Sequence, residues 1–192
     1  ISAAFALYFL AWPTPVNPKS WDAPISEGYT GSFAPNNLLT KVEFISLQGF
    51  SGPEDITAYG EGTSLFLYAS THEGSILKID PRTNSLTEFA QTGGQPLGLE
   101  FSSDGTLYVA DAFTGLLSVS DDGAIKVLTN DVGGSRLHFV DDLDIAPNGI
   151  VYFTDATRRF DARSSPSLSL ASQNDIYEQS QTGRVLAYDP SM

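Results

Sequence analysis

Residues 139–145, FVDDLDI, set Asp141, Asp142 and Asp144 among Phe139, Val140, Leu143 and Ile145. Carboxylates this close repel one another, and each keeps its proton more firmly unless a cation neutralises the group. A second acidic pair, Glu54 and Asp55, stands in GPEDI (52–56). Oxygen ligands gathered from separate stretches suit a hard cation. Calcium takes about six to eight of them in flexible geometry, magnesium requires a stricter octahedron, and zinc draws on His or Cys. Glu54 and Asp141 are therefore candidate metal ligands, whereas Asp104 and Asp144 read as turn or backbone caps. Of the two histidines, His72 and His138, the second lies three residues before Asp141 in RLHFVDD. It reads either as a base or substrate contact or as a surface or core histidine. No Gly-x-Ser-x-Gly elbow and no phosphate-binding glycine loop occurs.

An internal repeat provides the elements that would position these groups. EDITAYGEGTSLFLYASTHEGSILKIDPRTNSLTEFA, LGLEFSSDGTLYVADAFTGLLSVSDDGAIKVLT and DDLDIAPNGIVYFTDATRRF, the last resumed by TGRVLAYDP, align with one another. Phe66, Tyr108 and Tyr152 take matching places at intervals of 42 and 44 residues, a period of propeller blades rather than helical solenoids. Each unit reads as a short strand, a glycine turn, an alternating strand, another turn and a third strand; DG and NG between alternating apolar residues are strong hairpin signals. SLTEFA and AIKVLT add a fourth strand to the first two units. The fold class is thus all-β, with about three four-stranded blades, and no stretch of the body shows a helical period. The first strand of a blade lies nearest the channel, so Glu54 and Asp141 would start matching inner strands on one side of the channel mouth. Asp111 and Asp155 follow their strands in VADA and FTDA and mark either a blade-building turn or a pair of ligands.

The 192 residues are 41% hydrophobic and carry a formal charge of −13. That composition is globular, and the charge argues against nucleic-acid binding while suiting solubility or cation binding. With no cysteine, disulfides, thiolate chemistry and cysteine metal sites are excluded. The uncharged ISAAFALYFLAW, within an apolar segment over residues 1–16, is shorter than the roughly 20 residues needed to span a bilayer. It reads as part of a membrane anchor or signal core, or else as a buried segment. Residues 17–49 form a Pro-rich linker leading to blades over 50–192. Residues 157–182 interrupt the third unit and are too long for a hairpin turn, hence a flap over the channel mouth or a disordered segment. Three blades leave open edges, so the chain is expected to be half of a longer protein or to be completed by a partner chain.

GPEDI, QPLGLEFSSDGTLYVADAFTGLL (95–117), DDLDIAPNGIVYFTDATRRF (141–160) and GRVLAYDP (183–190), in this order and spacing, resemble the six-bladed propellers that include senescence marker protein-30, gluconolactonases, paraoxonases and strictosidine-synthase-like proteins. The nearest likeness is to the membrane-anchored strictosidine-synthase-like branch typified by adipocyte plasma membrane-associated protein. The resemblance implies one calcium ion in the channel, acting as Lewis acid on a lactone or ester carbonyl, with Glu54 as first-blade ligand. Asp141 stands where such relatives carry Asn, which adds negative charge and weakens polarisation of a substrate; Asp142 matches the acid that follows. Asp142, Asp155 and His138 are then expected to touch the substrate or the ligands themselves.

Three functions follow as expectations: a calcium-dependent hydrolase of lactones or aryl esters, anchored with its propeller on the periplasmic or other extracytoplasmic side; a non-catalytic propeller serving as binding or accessory subunit of a membrane complex; and a strictosidine-synthase-type condensing enzyme. The remaining family ligands lie on later blades, and a shared propeller hosts unrelated reactions.

Overall fold

The repeat units fold as antiparallel sheets whose inner strands stand side by side. The computed structural model describes residues 2–12 and 14–192; Ile1 and Pro13 of the apolar segment lie outside the described residues. Helix α1 (Ser2–Ala11) comes first. Blade one consists of β1 (Ile56–Tyr59), β2 (Phe66–Ser70), β3 (Ser75–Asp80) and β4 (Ser85–Gln91), paired in that order. Blade two repeats this with β5 (Pro96–Phe101), β6 (Leu107–Asp111), β7 (Gly115–Val119) and β8 (Ile125–Thr129). A two-residue hairpin, β9 (Asp131–Val132) and β10 (Ser135–Arg136), leads to blade three: β11 (Val140–Ile145), β12 (Val151–Asp155) and, after helix α2 (Leu168–Glu178), β13 (Arg184–Tyr188).

Face-to-face burial between blades holds these sheets together. Tyr68, Ile76 and Ala90 of blade one pack on Leu99, Leu107, Val109, Leu117 and Val119 of blade two. Tyr108, Ala110 and Leu116 of blade two pack on Val140, Val151 and Phe153 of blade three. Strand β6 (LYVAD) is buried at every position, because a neighbour covers each of its faces. Strand β12 (VYFTD) alternates instead, leaving Tyr152 exposed. Ile45, Leu47 and Phe50, at the end of the linker, cover Ala69, Leu77 and Ile79 on the other face of blade one.

The register corrects the repeat in its first unit. Tyr68 faces Thr57, Tyr108 faces Glu100 and Tyr152 faces Asp144, so Tyr68, not Phe66, is the counterpart of the other two tyrosines. The two-residue slip arises because the β1–β2 hairpin carries an extra turn, a 3-10 segment over Gly62–Ser64. In the true register Glu54, Leu97 and Asp141 are equivalent, as are Thr71, Asp111 and Asp155.

The insertion, read from the sequence as a flap or a disordered segment, holds a helix that its polar, Ser-rich sequence does not announce with an apolar period. The Ser167 side chain caps α2 by accepting the Leu170 N–H at 3.1 Å, and Gln179 ends it in the left-handed region. The base of the insertion is tied: Thr157 and Thr182 share a hydroxyl hydrogen bond, and Arg158 donates to the Thr182 hydroxyl and carbonyl oxygens. Beneath it, Leu97, Ala112, Phe139, Phe160, Ala162 and Ala171 form a cluster joined by Val16. Phe5, Leu7, Tyr8, Phe9 and Leu10 of α1 are all exposed. No described helix is long and apolar enough to cross a membrane.

Candidate metal and substrate site

Glu54, just before β1, and Asp141, near the start of β11, flank the buried Leu97 of β5 and line one cavity of about 270 Å³. The inner strands come this close because β5 carries glycine where its neighbours carry aspartate. A Cβ on Gly98 would lie 2.8 Å from Asp142 Cα and Oδ1. Glu54 is exposed at the rim and Asp141 half-buried. Burial, then the charges of Asp141, Asp55 and Asp142, raise the Glu54 carboxyl above its ordinary value. Burial and then Asp142 raise that of Asp141. Neither carboxylate has a hydrogen-bond or ion-pair partner among the described residues.

Other lining groups come from places the sequence reading left aside. His72 and Gln95 reach the cavity wall, and Leu168, Ser169 and Ser172 close it from α2. His72, Ala112 and Ala156 occupy equivalent places: their N–H groups bond to the carbonyls of Ser51, Gln95 and Phe139. The two-residue slip concealed that equivalence and with it the position of His72. The imidazole rests on Gly52, where a Cβ would lie 1.5 Å from the ring and φ is +54°. Glycine is thus required in GPEDI by close approach as well as by backbone conformation.

The remaining candidate residues have other surroundings. Asp155 is fully buried inside blade three. Its Oδ1 accepts the N–H groups of His138 (3.1 Å) and Phe139 (2.8 Å), and its Oδ2 pairs with the Arg184 guanidinium at 2.9 Å. It therefore clamps three segments of the blade, beside Asp141 in a second pocket that Ala156, Gly183 and Arg184 also line. His138 stands outside the Glu54–Asp141 cavity, its Nδ1 buried without a partner among the described residues. Asp142 is exposed; its Oδ1 accepts the Leu143 N–H at 2.8 Å, as Asp55 Oδ1 accepts that of Ile56 at 2.7 Å. Asp55 uses its other oxygen to accept the Leu99 N–H of the next blade at 2.7 Å, a direct tie between inner strands.

Two unpartnered carboxylates and an amide on one wall fit a hard cation by donor type. Among the described residues, however, no group of three or more His, Cys, Asp or Glu side chains is placed to hold a metal.

The site can be set beside known proteins. The family profile described as strictosidine synthase-like, N-terminal, matches residues 31–79. Strictosidine synthase-like protein 4 of Arabidopsis thaliana is 35% identical over 161 residues, 81% of this chain and 41% of its own length. Adipocyte plasma membrane-associated protein of Danio rerio is 33% identical over 192 residues, 92% of this chain and 44% of its own. The chain belongs to the strictosidine-synthase-like superfamily. It spans about two fifths of the length of these relatives. A solved gluconolactonase from Xanthomonas campestris superposes with a TM-score of 0.52 at 19% identity, over 66% of this chain and 40% of that one. A second solved protein, described as a candidate gluconolactonase, gives 0.54 at 17%, over 74% and 47%. At such identities the likeness is one of fold, and it assigns the blades of this superfamily member to a propeller of the gluconolactonase type.

Proposed function

We propose that this chain contributes the first three blades of a six-bladed, membrane-associated propeller that hydrolyses lactones or aryl esters with calcium. The observation that carries the reading is the pair Glu54 and Asp141, equivalent by the repeat, side by side in one cavity and lacking any cationic partner among the described residues. Two such carboxylates are stable together when a cation lies between them or one stays protonated. Glu54, Asp141 and the Gln95 amide would hold the ion, and further donors would come from other blades or water. When bound, calcium supplies a Lewis acid for a carbonyl oxygen. The protein's own part is to orient the substrate between the Leu97–Phe139 floor and the α2 roof, and to exclude bulk water. His72, the one imidazole on this wall, is placed to accept a proton from water held there. Membrane association follows the relatives named for the plasma membrane together with the exposed apolar helix α1; the propeller is assigned to the extracytoplasmic side.

The test is hydrolysis of phenyl acetate and a simple lactone by the full-length protein. Loss of activity with chelator, its return with calcium and its absence in Glu54→Gln support the proposal. Activity indifferent to both overturns it. The short metal-ligand set favours a second reading, a non-catalytic binding subunit. Stable co-purification with a partner, without hydrolysis or a bound ion, would establish that alternative.

A further inference from the structure

Helix α2 roofs the cavity with Leu168, Ser169 and Ser172. One turn beyond Ser172, on the same stripe, comes Ile176, followed by Tyr177; they are 63% and 59% exposed. On the α2 side the roof of the cavity therefore runs on into exposed apolar residues, while Glu54 marks the opposite, acidic side of the rim. The opposite side of α2 is fixed to the protein: Ala171 is fully buried in the cluster with Leu97 and Phe139, and Glu178 pairs with Arg159 at 3.1 Å. Glu178 also accepts the Asn17 N–H at 3.0 Å, while Val16 packs into that cluster. The chain leaving α1 is thus fastened to the end of α2. Five residues lie between Ala11 and Asn17, so the end of α1 is within about 20 Å of Asn17 and of the Glu178 end of α2 to which Asn17 is bonded.

Charge singles out the same sector. Arg158, Arg159 and Arg163 of the insertion balance Asp161, Asp175 and Glu178, and Lys19 is the only charge among residues 1–20. These two segments together carry +1, and the rest of the chain carries −14. A bilayer whose surface is neutral or anionic meets no net repulsion at the α1–α2 sector alone. Isoleucine and tyrosine near the end of α2 suit the headgroup boundary, and the two acids of the helix are engaged, Asp175 by the Ser180 hydroxyl and Glu178 by Arg159 and the Asn17 N–H.

We propose that α2 lies on a phospholipid surface beside α1, with Ile176 and Tyr177 at headgroup depth, so that the cavity lined by Glu54 and Asp141 opens onto the bilayer and receives its substrate from that interface. This rests on the membrane association proposed above. These 192 residues contain no cysteine, so single labels can be introduced once any cysteine elsewhere in the full-length protein is replaced by serine. An environment-sensitive dye is attached in full-length protein at L7C, I176C or N148C, the last in the turn at the far end of β11. Each protein is reconstituted in phosphatidylcholine vesicles carrying a spin-labelled quencher lipid. Quenching of about twofold or more is expected at positions 7 and 176 and none at 148. Quenching at 7 alone leaves the anchor standing and overturns the α2 contact. Quenching at none overturns both. Equal quenching at 148 signals unspecific adsorption, and a response at 176 that requires an added protein in place of lipid assigns this face to a protein partner; either result overturns the proposal.

Discussion

Glu54 and Asp141 gain meaning from what does not touch them. Acidic side chains elsewhere are engaged: Glu73 accepts the Ser51 hydroxyl and N–H and is lowered to about 2, and Asp80 is held at about 2 by Arg82. The cavity pair is shifted the other way. Glu54 and Asp141 bind their protons more tightly in the folded than in the unfolded chain. Their contribution to stability is therefore greatest below the ordinary values of 4.5 and 3.8, and is lost as pH rises through the raised native values. In chelator, the thermal midpoint of Glu54→Gln/Asp141→Asn should fall less than that of the wild type over this rise; identical pH profiles would exclude the strain. Calcium should remove the same slope. Asp141→Asn alone restores the residue that relatives are expected to carry, keeps an oxygen ligand and removes a charge. Its kcat on an aryl ester should rise several-fold, roughly tenfold per 1.4 kcal/mol of barrier, measured by steady-state kinetics.

Among the elements, the inner strands and the insertion do most to build the site. The motifs GPEDI and VDDLD made the alignment of Glu54 with Asp141 legible, since hairpin signals and alternation mark each blade. His72 was not legible, because one longer hairpin displaced the register by two residues and hid its equivalence with Ala112 and Ala156. Helix α2 escaped notice for a different reason: its stability comes from a serine cap and from burial of Ala171, neither of which produces an apolar period. Asp155 illustrates how one residue type divides by environment. Asp155→Asn breaks a buried pair with Arg184 and should cost about 3–5 kcal/mol in urea unfolding while leaving calcium affinity unchanged. Asp55→Ala removes the tie to Leu99 and should cost about 1–3 kcal/mol, the penalty of an unsatisfied group between strands.

At the scale of the whole molecule, stability rests on the interfaces between blades. Leu117, fully buried where blades one and two meet, should cost about 2–5 kcal/mol when truncated to alanine; Val127, 47% exposed on the outer strand of blade two, should cost far less. Equal losses in denaturant would mean that the sheets do not pack as described. The blade pattern was readable because a propeller repeats its hydrophobic code in every unit. The composition of the site was less so, since its walls join the starts of two blades to a helix inserted far along the chain. The most direct test of the shared cation is a calorimetric titration of calcium into the full-length protein, wild type beside Glu54→Gln and Asp144→Asn. The predicted result is one ion per chain for the wild type, binding at least tenfold weaker in Glu54→Gln, a loss of about 1.4 kcal/mol, and no change in Asp144→Asn. Absence of binding in the wild type, or equal affinity in Glu54→Gln, would contradict a calcium site at Glu54 and Asp141.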